Sequence, residues 1–282
     1  MKNIFTCFIL FLLITGANIN VFAQQIMGVS ASYGHLPLKT FNASASFPLF
    51  FAEGKTIFIN TVEYGYSVYD YDDWGFSQGS AGDTEQFQAV SYNLFFMQQL
   101  SQSWQMLVMP AAGLASDFGG DISSDDATLK GIVIFIHTFG ETLSLGSGVV
   151  YSLRDEPVFP VPFLIFEWTI GPKVTAQGII PDNATVLYRL HPVVELGVFV
   201  KSNSLNHHGN PEKYVVDNPW LAYSDVSAGP TAQLHFSKAV QLNLEGGYAF
   251  FRKFKLFDGF DEESSIDLDG KGYLKASLQV GM

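Results

Sequence analysis

The sequence predicts a closed, antiparallel, transmembrane β-barrel of about fourteen strands, with twelve as the next count. Three observations carry that expectation. The first is strict alternation, as in "VQLNLEGGYAF" (240–250), where Val240, Leu242, Leu244, Tyr248 and Phe250 share one side and Gln241, Asn243 and Glu245 the other. Successive side chains of a strand point to opposite faces, so this segment forms a sheet with one oily side. The second is composition: 15% of the 282 residues are charged, against about 25% in soluble domains, while 48% are hydrophobic and 15% aromatic. The third is the spacing of the connections, short ones alternating with a longer class, as in bacterial outer-membrane barrels.

Residues 1–23 read as a cleaved signal peptide, with Lys2 as the positive start, Ile4–Ile14 as the apolar stretch and Val21-Phe22-Ala23 as the cleavage site. The apolar run is too short to span a bilayer comfortably as a helix. Cys7, the single cysteine, lies inside it, so the mature chain is expected to carry no disulfide. Residues 24–282 are expected to form one barrel domain.

Alternating or apolar runs place strands at 25–34, 40–50, 55–69, 83–100, 104–117, 127–139, 143–154, 160–170, 173–180, 184–190, 194–204, 220–236, 240–257 and 271–281. The minimal connections are 52–54, 101–103, 140–142, 171–172, 191–193 and 237–239. The other class includes 70–82, 118–126, 205–219 and 258–270. Acidic residues cluster there, in "YDYDDWG" (69–75), "SSDDA" (123–127) and "DGFDEESSIDLDG" (258–270), and are expected in solvated loops. "GIIPDNATVLYRL" (178–190) reads as a short hairpin turning at Pro181-Asp182-Asn183, with one long kinked strand as the other reading. The three prolines of "PVFPVPFLIF" (157–166) suit a strand entrance.

The hairpin around 237–239 predicts the facing. A three-residue turn sets Phe236 against Val240 and Leu234 against Leu242, while His235 faces Gln241, Gln233 faces Asn243 and Thr231 faces Glu245. A soluble barrel would show a Lys- and Glu-rich outer face. Here the polar face is mostly Ser, Gly, Gln, Asn and Thr, which suits a confined wet interior, and the apolar face suits acyl chains. Lipid forbids unpaired strand edges, so the sheet is expected to close. Rings such as Trp104, Tyr151, Trp168, Tyr188 and Trp220 fall near strand ends, where interfacial girdles form.

The same parity turns Arg189, Glu195, Lys201, His235, Glu245 and Lys275 toward the lumen, with Arg189 directly opposite Glu195. An ion pair that merely neutralises the wall is the plainer expectation for these two. The formal net charge of −12, or −13 once Lys2 is removed, excludes a phosphate-contacting nucleic-acid surface. No phosphate loop, dinucleotide fingerprint, Cys pair or zinc-binding helix motif is present, so no catalytic residue, metal or cofactor is expected. "HFS" (235–237) is like the short His-x-Ser element of lipid A deacylases, but at a short-turn end and without an evident acid. Asp72-Asp73 and Asp125-Asp126, with His207-His208, are loosely like outer-membrane aspartyl-type proteases; acidic loops facing lipopolysaccharide-bound cations are the plainer reading.

The alternation together with "GSGVVYSLRDEPVFPVPFLIFEW", "IIPDNATVLYRL" and "VELGVFV" resembles an uncharacterised family of outer-membrane barrels in Bacteroidota and related Gram-negative bacteria. The likeness covers nearly all of 25–282. More distantly the chain is similar to fourteen-stranded outer-membrane transporters for hydrophobic compounds, which carry an N-terminal plug where this chain begins its first strand, and the final Met282 stands where such barrels usually end in an aromatic residue. The resemblance implies outer-membrane lipid, lipopolysaccharide and the barrel-assembly machinery as partners. The function expected is a passive channel or carrier for small molecules, then a non-conducting surface barrel, then a lipid-modifying enzyme. The overall expectation is that the chain is not an enzyme.

Overall fold

The computed structural model describes residues 28–35, 38–70, 84–153, 160–211, 214 and 216–281. The leader, the Asp72-Asp73 pair and Trp74 lie outside the described residues. Among the described residues fifteen strands form one sheet: β1 (Gly28–His35), β2 (Leu38–Phe51), β3 (Thr56–Asp70), β4 (Thr84–Gln99), β5 (Trp104–Ser116), β6 (Ala127–Phe139), β7 (Leu143–Leu153), β8 (Val161–Ile170), β9 (Val174–Ile180), β10 (Asn183–His191), β11 (Val194–His208), β12 (Pro219–His235), β13 (Val240–Asp258), β14 (Asp261–Leu268) and β15 (Lys271–Gly281).

Each strand from β1 to β13 bonds its sequence neighbour, and β15 closes the ring by pairing with both β1 and β13. Fourteen strands therefore form the wall, and β14 pairs only the far half of β13. This corrects the reading of 258–270 as a loop. Its acidic residues continue the sheet beyond the ring, where Lys253 pairs Asp267 at 3.3 Å and Lys255 pairs Glu262 at 2.7 Å.

Register follows the hairpin argument. Leu234 faces Leu242, His235 faces Gln241, Gln233 faces Asn243 and Thr231 faces Glu245. "GIIPDNATVLYRL" is a hairpin with Asn183 opposite Ile179 across a two-residue connection. The alternate residues Leu196, Val198 and Val200, like Leu274, Leu278 and Val280, stand 42–72% exposed, and the band they belong to runs round the wall. Lipid tails are the surroundings that make such exposure favourable.

The wall is uneven. β13 has 19 residues and β12 has 17, whereas β9 has 7 and β10 has 9. Above the short strands β5 meets β11 directly, through the parallel pair Ser116–His208 and the Asp117 N–H donating to the His208 carbonyl at 3.3 Å. The barrel thus narrows at its long-loop end. There the tall strands pack Tyr69, Phe87, Leu221, Tyr223, Phe254 and Leu256 into an aromatic cap, with Tyr214 from the loop before β12 laid against it.

Candidate functional site

Inside the ring the two sides differ. On β5, β6 and β8 the inward positions are Leu107, Ile134, Ile136 and Phe163, each at most 8% exposed, with Met97, Met109 and Ile165 against them. On these strands this corrects the expectation of a lumen lined by small polar residues. The physical reason is that an inner face at which side chains pack on one another excludes water and favours hydrocarbon.

The other side carries the charges. At the lower rim Arg189 and Glu195 are register partners, and the Arg189 Nε donates to the Glu195 carboxylate at 2.7 Å. His235 reaches the same carboxylate at 3.8 Å through Nε2, so an acid does stand beside the His235-Phe236-Ser237 element. Ser237 Oγ, however, accepts the Ala239 N–H at 3.1 Å within its turn. Further in, Lys201 Nζ donates to Glu245, which is also the register partner of Lys275. Asn243 Nδ2 donates to the other oxygen of Glu245 at 3.2 Å. One carboxylate therefore sits among two ammonium groups and an amide. The Lys201 ammonium also lies 5.6 Å from the centre of the Tyr273 ring, a distance at which a cation is attracted to the ring face. All six residues singled out from the sequence lie on the inner face, in two groups: Arg189, Glu195 and His235 at the rim, and Lys201, Glu245 and Lys275 deeper.

A third group, not singled out from the sequence, stands above these. Asn203 Nδ2 donates to Asp225 Oδ1 at 2.7 Å and to Ser227 Oγ at 2.8 Å, and Asp225 is 2% exposed. Asn203 has the parity of Lys201 and Asp225 that of Thr231, so alternation did carry this signal. Arg252 carries no such signal. A bulge at Phe251, whose φ is +52°, shifts the phase of β13 and turns Arg252 inward, where its Nε donates to Tyr223 Oη at 3.1 Å.

The cap joins opposite walls. Tyr69 Oη and His207 Nδ1 are 3.2 Å apart, Phe87 stacks near His207 with ring centres 5.0 Å apart, and Tyr214 Oη donates to Glu85. Beside it a pocket of about 370 Å³ opens between 116–126 and 208–217, lined by Asp117, Asp121, Asp125, Asp126, Asp217 and His208. The sequence places Asp126 in a solvated acidic loop; it is instead 3% exposed, with its carboxylate 2.7 Å from His208 Nδ1. Burial alone would raise its carboxyl, but hydrogen bonds from the Ser123 backbone, His208 and Ser116 outweigh that and hold it below the usual carboxylate range. Among the described residues no group of three or more His, Cys, Asp and Glu side chains is placed to hold a metal ion.

A family model described as "Domain of unknown function (DUF6268)" matches residues 37–280. Among solved structures, a NanC porin is similar at 10% identity and a TM-score of 0.44, covering 91% of this chain and 100% of that one. LpxR from Salmonella typhimurium is similar at 10% identity and a TM-score of 0.42, covering 90% and 100%. Outer membrane phospholipase A from Escherichia coli is similar at 8% identity and a TM-score of 0.40, covering 90% and 96%. No curated protein matches the chain. The strands of the chain itself close a ring with an apolar band exposed on its outside, the architecture of a transmembrane β-barrel. The expectation that it is not an enzyme is corrected: a phospholipase stands beside porins among the similar barrels, so an exclusion drawn from missing sequence motifs does not hold.

Proposed function

We propose that this chain, which belongs to the family described as "Domain of unknown function (DUF6268)", lets small molecules cross the outer membrane through its interior as a passive channel or carrier. One observation carries the reading: polar groups climb one inner side in steps, from Arg189–Glu195–His235 through Lys201–Glu245–Lys275 to Asn203–Asp225–Ser227. A wall needed only for support gains little from a pair such as Lys201–Glu245, each side chain at most 17% exposed, because replacing such pairs by packed apolar side chains is often neutral or stabilising. The opposite side of this barrel is filled in that apolar way. A wet path for solute gives the charged side a reason to exist. The two chemistries together suit molecules with one polar and one apolar part.

A second reading, a surface barrel that does not conduct, is favoured by the aromatic cap that joins the walls at the long-loop end. Conductance in planar bilayers separates the two. The conduit reading expects discrete openings, and Glu245→Gln is expected to shift reversal potentials toward anions, because it leaves Lys201 and Lys275 without their carboxylate. A silent barrel, or openings whose selectivity ignores both Glu245→Gln and Arg189→Gln, would overturn it.

A further inference from the structure

The exposed apolar band carries a groove of about 640 Å³ on the short-strand side of the wall. Ser147 of β7 is its floor. Phe135, Ser147, Leu164 and Ile180 are successive register partners across β6 to β9, so the groove runs across the strands and ends against Pro181. Phe135, Leu164 and Ile180 are 45–59% exposed, which makes the groove continuous with the surface that meets lipid. Its lining is apolar but for Ser147, so the occupant it fits is a hydrocarbon chain rather than a headgroup.

Two features bring the groove close to the interior. Gly148, beside the floor, has no side chain, and a Cβ there would stand 2.9 Å from Phe163 Cζ. The Phe163 ring, part of the inner apolar cluster, therefore presses against the wall beneath the groove. The wall also steps down at this point. Leu164–Ile180 is the last β8–β9 pair and Asn183–Lys201 the last β10–β11 pair, while β11 runs on to His208. Ile179, next to Ile180 but facing inward, packs on the same cluster as Phe163 and Ile165.

We propose that the groove docks the hydrocarbon tail of a membrane amphiphile, and that the tail passes from it over the β9–β10 turn to the inner apolar side. The passage rests on the conduit reading above; the docking does not. The test uses the full barrel in lipid nanodiscs with a fatty acid bearing a photoreactive diazirine in its tail, and adducts mapped to single residues. Adducts are expected on Leu164 and Ile180 outside and on Phe163, Ile165 and Ile179 inside. Ser147→Trp, which fills the groove from the exposed side, is expected to lower both sets about tenfold, and Ser147→Leu is a milder filler should the tryptophan variant misfold. Adducts as frequent on Val62 and Leu278 as on Leu164 would overturn the docking. Adducts outside with none inside would overturn the passage. The conduit reading keeps its own readout, because its conductance and Glu245→Gln response are expected to survive Ser147→Trp.

Discussion

Strands β5, β6 and β8 turn Leu107, Ile134, Ile136 and Phe163 into the ring, whereas β10 to β15 turn Arg189, Glu195, Lys201, Glu245 and Lys275 into it. Both sides carry the same oily outer face. The outer composition is set by a solvent that surrounds the whole ring, while the inner composition is set locally by what each patch faces. The apolar side behaves as a packed core that happens to be curved, and the charged side as a network in which each group depends on its partners.

Four changes test that contrast, from the largest effect to the smallest. Ile134→Asp would set a lone carboxylate among packed hydrocarbon at a site 2% exposed, and is expected to cost about 3–5 kcal/mol or prevent folding. Urea unfolding of the barrel in micelles measures it, and a loss below about 1 kcal/mol would mean that water already fills that side. Glu245→Gln leaves Lys201 and Lys275 facing each other and is expected to cost about 2 kcal/mol, with part recovered when Lys201→Gln is added. Strict additivity in that cycle would show that the two do not act as a pair.

The third change concerns the outer pocket. The Asp126 carboxyl is held low in the folded barrel, so its contribution is complete above the ordinary carboxylate range and is lost as pH falls through its depressed value. Asp126→Asn is expected to loosen the 117–126 loop by about 1 kcal/mol at neutral pH and to leave it little affected by further acidification. Hydrogen exchange at the Ser123 amide, which donates to Asp126 at 2.8 Å, reads both. Equal exchange in the two forms at neutral pH would remove Asp126 from that role. The fourth is Leu278→Ala on the exposed face, expected to cost less than about 1 kcal/mol because lipid or detergent fills the space. A larger loss would place that residue in a contact between copies of the barrel.

This ranking also explains what the sequence made legible. Where lipid lies outside and polar groups inside, as in "VQLNLEGGYAF", alternation reveals strand, facing and register together. In "GIVIFIHTF" (131–139) both faces are apolar, so the run reads as a strand but has no phase, and the inward direction of Ile132, Ile134 and Ile136 stays hidden. The rim and mid-barrel charges were found because their neighbours alternate. Arg252 was hidden by a one-residue bulge, and the meeting of Asp126 with His208 joins segments 82 residues apart, beyond the reach of any local pattern.

The unequal strand lengths have a consequence for the membrane itself. At about 3.3 Å per residue and a tilt near 40°, the 19 residues of β13 rise about 48 Å, but the 7 of β9 only about 18 Å. The oily slab around such barrels is about 25 Å tall. Beside β9 the wall is thus shorter than that slab, a shortfall that a bilayer meets by thinning or by flanking side chains reaching out to the headgroups.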